Sequence, residues 1–153
     1  MTPTPILPRQ KHVQILLVED NPGDIILITE AFKEANVQGT FSIAKDGVEA
    51  LEYLYTSQKV GSLNVRPELI ILDLNMPRKD GHEVLLEIKK SKDLRSIPVI
   101  VMTTSKDSAD ILRAYDAQAN CYITKPVDFN QLTRVAKSIE EFWLTLVQLP
   151  GKA

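Results

Sequence analysis

Asp73 closes the apolar run Leu69-Ile70-Ile71-Leu72, a composition that reads as a strand buried on both faces. Ligands of open α/β sheets bind outside the carboxyl ends of the strands, so an acid at that position points to chemistry rather than solvation. Other apolar runs end in the same manner: Val13 to Val18 leads into Glu19-Asp20, Pro98 to Met102 into Thr103-Thr104-Ser105, and Cys121 to Ile123 into Thr124-Lys125-Pro126. If these strands are parallel in one sheet, Glu19, Asp20, Asp73, a hydroxyl and an ammonium meet at one end. Carboxylates crowded in this way repel by several kcal/mol at an effective dielectric of about 20, and such a cluster needs a cation. Hard oxygen donors with no His or Cys among them select Mg²⁺.

The elements that must position these groups are legible in the same pattern. Asn21-Pro22 places a capping side chain before a proline at the first helical position, and Ile25, Ile28, Phe32 and Ala35 follow at helical spacing. Residues 40–43 form a short second strand, Asp46 caps a second helix lined by Gly47, Leu51 and Leu54, and residues 56–66 form a connection longer than usual, either an excursion or a continued helix. Asp80-Gly81 opens a third helix with Val84, Leu85 and Ile88 inward. Ile111, Ala114 and Tyr115 mark a fourth, and Leu132, Val135, Ala136, Ile139 and Trp143 share one face of the last. Strands alternating with helices imply a parallel sheet covered on both faces.

At 153 residues and 44% hydrophobic content, one domain with an adequate core is expected. A net charge of −2 and a pI near 5.7 argue against a nucleic-acid partner. The apolar runs are too short to span a bilayer and the N-terminus lacks a signal-peptide core, so a cytoplasmic location and no membrane partner are expected. With one cysteine no internal disulfide forms, and Cys121 reads as a small inert hydrophobe. His12 and His82 read as surface residues. Residues 1–12, with Pro3, Pro5 and Pro8, read as an extended arm.

The order and spacing of these residues from 13 to 142 resemble the receiver domain of response regulators, which accept a phosphoryl group on an aspartate from a histidine kinase. The resemblance implies the flavodoxin-like doubly wound fold, strand order 2-1-3-4-5; that order is carried over from the family, a member of which exemplifies it, and is not read from composition. It implies Asp73 as phosphoacceptor, and Mg²⁺ held by Asp20, Asp73 and the backbone carbonyl of Asn75, with Glu19 acting through a water. Lys125 then faces the phosphoryl group, Thr103 is the switch hydroxyl and Tyr122 the switch aromatic. On this reading the acids, a divalent ion and Lys125 sum to formal neutrality. Thr104 is bulkier than the residue common at its position, which implies a long-lived aspartyl phosphate, while Asn75 and Ser105 hold positions that tune dephosphorylation. The resemblance and the tight turn imply a cis bond before Pro126.

The segment 120–129, the long connection and the tail 142–150 are similar to the small single-domain regulators of cyanobacterial phytochrome kinases. Such a regulator signals through a downstream protein, still unidentified. A phosphohydrolase using Asp73 as nucleophile is the alternative, but haloacid-dehalogenase-type enzymes carry a second acid where Asn75 stands; a phosphorylation-independent binding module is a third reading. Beyond the last helix, residues 143–153 read as an extension. Trp143, Leu144, Val147 and Leu149 widen its apolar surface and lead to the expectation of a homodimer built on the last helix and the Tyr122 face.

Overall fold

The computed structural model describes residues 12–146, and the side chains only as far as Trp143. The parallel strands are β1 (Val13–Val18), β2 (Gly39–Ala44), β3 (Leu69–Leu72), β4 (Val99–Thr103) and β5 (Cys121–Thr124), hydrogen-bonded in the order β2-β1-β3-β4-β5. Register places Val18 beside both Ala44 and Leu72, Leu72 beside Val101, and Thr103 beside Thr124. The chemically active residues therefore leave one edge of the sheet together.

The helices are α1 (Pro22–Glu34), α2 (Gly47–Ser57), α3 (Gly81–Lys90), α4 (Ser108–Asp116) and α5 (Phe129–Ile139). Each starts on a side-chain cap: Asn21, Asp46, Asp80, Asp107 and Asp128 accept backbone N–H groups of Asp24, Glu49, Glu83, Ala109 and Gln131 at 2.8–3.0 Å. Strand periodicity of two then splits the core. Val13, Ile15, Leu17, Leu69, Ile71, Ile100 and Met102 face α1 and α5, whereas Leu16, Val18, Ile70, Leu72, Val99 and Val101 face α2, α3 and α4.

Residues 58–68 are an excursion and not a longer helix, because α2 stops at Ser57. Arg66 pins this loop by donating to Gln58 Oε1 (2.9 Å), the Asp93 carbonyl (2.6 Å) and Ser96 Oγ (3.0 Å), and the Tyr53 hydroxyl donates to the Val65 carbonyl (2.7 Å). The last helix is not uniform either. After Ile139 it widens into a π-helical stretch, Glu140–Leu146, whose hydrogen bonds close on the fifth residue instead of the fourth. Leu132, Ala136 and Ile139 are buried as their spacing predicts, and Val135 and Trp143 pack partly buried against the same cluster.

Candidate functional site

Glu19 follows β1 with its carboxylate almost wholly enclosed. Its Oε2 accepts the backbone N–H groups of Asp20 (3.0 Å) and Asn21 (3.2 Å), which turns Oε1 toward the Lys125 ammonium. Asp73 continues the ladder by donating its N–H to the Val18 carbonyl (3.0 Å), so its side chain emerges between β1 and β4 and is 6% exposed. One oxygen each of Glu19, Asp20 and Asp73 lies within 4.8 Å of the others. That donor set, oxygen only and mostly buried, fits a hard divalent cation such as Mg²⁺; without one, the single ammonium of Lys125 offsets only part of its repulsion.

Lys125, 10% exposed at its side chain, pairs with Glu19, with Asp24 Oδ2 at 2.9 Å and with Asp73 Oδ2 at 3.4 Å. Burial would lower its pKa, but the Glu19 and Asp24 carboxylates, with the charge of Asp73 behind them, more than reverse this and raise it. Glu19 responds to the same crowding in the other direction. Burial above all, and the charge of Asp73, push its carboxyl up to about 7 despite the opposing pull of Lys125 and of the Asn21 N–H.

On the β4 side Thr103 is fully buried, and its Oγ1 lies 3.5 Å from Asn75 Nδ2; the Asn75 N–H points at Asp73 Oδ1 (3.3 Å). Thr104 is exposed. The Tyr122 hydroxyl donates to the Ser105 carbonyl (3.0 Å) while its ring packs against the core, and the Ser105 hydroxyl donates to Asp110 Oδ2 (2.6 Å). Asp110 Oδ1 lies 3.3 Å from His82 Nε2. The Ser105 hydroxyl, against slight burial and with help from His82, holds the Asp110 carboxyl below its ordinary range.

The loop after β3 is held from two sides. Arg78 has a left-handed φ of 64° and its guanidinium grips Asp46, Nε at 2.9 Å and one Nη at 2.5 Å. Gly81 donates its N–H to the Leu74 carbonyl (2.9 Å) at such close approach that a Cβ there would collide with the backbone of Asp73 and Leu74. Between this loop and α4 lies a cleft of about 460 Å³ lined by Asp20, Asn75, Asp80, His82, Asp110 and Arg113.

The expected site residues Asp73, Glu19, Asp20, Lys125, Thr103 and Asn75 are thus brought together. Others stand differently. His82, expected at the surface, is 5% exposed, because its spacing of three from Leu85 carries it onto the inner face of α3. Tyr115 is half-exposed, and its hydroxyl accepts the Tyr122 N–H (3.2 Å). The bond before Pro126, expected cis, is trans: among the described residues no peptide bond is cis. Four residues, Lys125 to Asp128, separate β5 from α5, enough to turn the chain with the intrinsically favoured trans isomer. Trp143 turns inward to its own domain and stacks edge-on with Phe142 at 5.6 Å. Val147, Leu149 and the side chain of Leu144 lie outside the described residues, as does the arm up to residue 11. Burial pushes the Cys121 thiol pKa up, in keeping with an inert thiol. The sequence reasoning passed over Asp24, whose local signature is only that of an acid in the first turn of α1, three residues beyond the Asn21 cap.

An open, doubly wound sheet that gathers an acidic pocket at its carboxyl edge defines a flavodoxin-like α/β protein. Within that class the chain belongs to the response regulator receiver family: residues 15–137 match the response regulator receiver domain, whose members are signalling switches and not classical enzymes. It is 43% identical over 137 residues to the response regulator Rcp1 of Synechocystis, spanning 90% of this chain and 92% of that protein. It is also 43% identical over 139 residues to a probable methanogenesis regulatory protein, FilR2, of Methanothrix harundinacea, spanning 91% and 88%. Among solved structures it resembles the phosphorylated cyanobacterial phytochrome response regulator RcpA, with a TM-score of 0.84 and 47% identity over 92% of this chain and 100% of that one. The Mn²⁺-bound form of Rcp1 aligns with a TM-score of 0.81 at 42% identity, over 91% and 99%.

Proposed function

We propose that this protein is a phosphorylation switch that takes a phosphoryl group from a histidine kinase onto Asp73. The observation that carries the reading is the place of Asp73: nearly buried at the end of β3, clustered with Glu19 and Asp20, and 3.4 Å from the Lys125 ammonium. Asp20, Asp73 and the Asn75 carbonyl are the proposed metal-facing groups, with Glu19 acting through a water. Bound Mg²⁺ supplies charge neutralisation for the transferring group. Asp73 presents its free oxygen to the phosphorus in line with the leaving group, and Lys125 donates to an equatorial oxygen.

Thr103 then turns its hydroxyl toward the new phosphoryl oxygen and draws the β4–α4 loop inward. That movement displaces the Ser105 carbonyl and releases the Tyr122 hydroxyl from its present bond. α4 buries only Ala114, so little apolar burial opposes its shift, and the β4–β5 face carries the signal to a downstream protein. The likeness to RcpA and Rcp1 favours a phytochrome kinase as donor; a cytoplasmic setting and a homodimer through the last helix belong to the same proposal. The exposed Thr104 is proposed to slow water at the phosphoryl group, tuned further by Asn75 and Ser105.

Acetyl phosphate with Mg²⁺ is the direct test. The wild type should form a base-labile acyl phosphate, and Asp73→Asn, which keeps the shape and removes the nucleophile, should form none. Labelling of Asp73→Asn to the wild-type level sinks the assignment. Transfer from a phytochrome kinase in preference to kinases of other sensor classes tests the narrower pathway.

A further inference from the structure

We infer that Asp24 is a positioning and specificity-determining residue: it anchors the Lys125 ammonium and leaves the site one charge short of neutral, which disfavours small, highly anionic phosphoryl donors. The inference rests on Asp73 being the phosphoacceptor. Its ground is a contact outside the expected site, Asp24 Oδ2 to Lys125 Nζ at 2.9 Å, shorter than the 3.4 Å from the same nitrogen to Asp73.

Lys125 has three N–H donors and three carboxylate partners, Glu19, Asp24 and Asp73. With only the expected acids, one lysine and a divalent ion balance the charge. Asp24 adds a fourth carboxylate, and the metal-loaded site carries a formal charge of −1. Its oxygen and that of Asp73 share one nitrogen, so they lie no farther apart than the two bond lengths together, about 6 Å and inside a Debye length of about 8 Å. The Asp24 side chain is 35% exposed, against 2% for Glu19 and 7% for Asp73, so it is the solvent-facing one of the lysine's three carboxylate partners. A donor carried on a protein offsets this repulsion with its docking contacts; a small dianion has no such contacts. The same charge helps to draw a cation in.

Asp24→Asn therefore has two opposite effects. Mg²⁺ affinity, measured by calorimetry, should fall several-fold. Labelling by acetyl phosphate at saturating Mg²⁺, a dianion at neutral pH, should rise on the order of tenfold. Phosphoramidate, which carries less negative charge, should gain less. The wild-type rate with acetyl phosphate should rise with ionic strength, and the variant's should respond less. Asp24→Glu should restore the slow, salt-sensitive behaviour. The helix cap is unaffected, because Asn21 binds the Asp24 backbone and not its side chain, and a merely damaged site would lose metal affinity and labelling together.

Wild-type protein that labels while Asp24→Asn matches it in rate and salt response, or labels more slowly, overturns this inference alone. Wild-type protein that takes no label overturns the phosphoacceptor reading and this inference with it.

Discussion

Glu19 should make the metal-free protein less stable as pH rises through neutrality, the reverse of an ordinary paired carboxylate. Its carboxyl titrates at about 7 in the folded protein against 4.5 in an open chain, so between those values the native state holds a proton the unfolded state has released. The stabilisation is fully present below 4.5 and is lost as pH rises through 7. The shift corresponds to at most about 3–4 kcal/mol at roughly 1.4 kcal/mol per unit. For a chain of this size that is roughly 7–14 °C in melting temperature, an upper figure because the cluster can relax or admit water. The assay is a series of melts in chelator from pH 5 to pH 8 for wild type and Glu19→Gln. The amide cannot titrate, so the difference between the two curves isolates this carboxyl from the histidines. A wild-type curve that runs parallel to that of Glu19→Gln, or climbs with pH relative to it, refutes the account of Glu19 as a desolvated acid crowded by Asp73.

Asp20→Asn should raise the melting temperature in chelator by a few degrees, about 1–2 kcal/mol, since it removes one of three clustered charges; a lower value counts against the clustering. Gly81→Ala should cost about 3 kcal/mol by forcing a methyl into the backbone of Asp73 and Leu74, and a urea midpoint equal to wild type contradicts that close approach. The homodimer expectation is checked by sedimentation of the full chain beside a version ending at Glu141, each with and without beryllofluoride. The full chain should dimerise and the shortened one should not. Monomers throughout remove the tail as an interface.

Much of the site was legible because strand ends announce themselves: an apolar run stopping at a polar or charged residue fixes Glu19, Asp73, Thr103 and the Thr124-Lys125 pair at one edge once the strands are parallel. Asp24 was not, because its contact with Lys125 spans 101 residues of sequence and local pattern explains Asp24 as a first-turn acid. His82 was misread because a polar side chain at the start of a helix resembles a surface group, and its partner Asp110 comes from the next helix. The α-helical spacing that groups Leu132 to Trp143 on one face does not announce the π-helical stretch that begins at Glu140.

The five capped helices give the molecule a polarity that its net charge of −2 conceals. All helix N-termini in this fold lie at the carboxyl edge of the sheet, and four of their caps are aspartates: Asp46, Asp80, Asp107 and Asp128. At the opposite end the last turns of α1, α3 and α5 carry Lys33, Lys89, Lys90 and Lys137. The side-chain charges thus oppose the helix dipoles and form a long-range electric axis through the sheet, negative at the reacting end. A partner with a basic rim is turned toward the Asp73 end before any contact forms, and one with an acidic rim is turned toward the other end. Orientation on approach, and its weakening by salt, is therefore built into the way the helices begin and end.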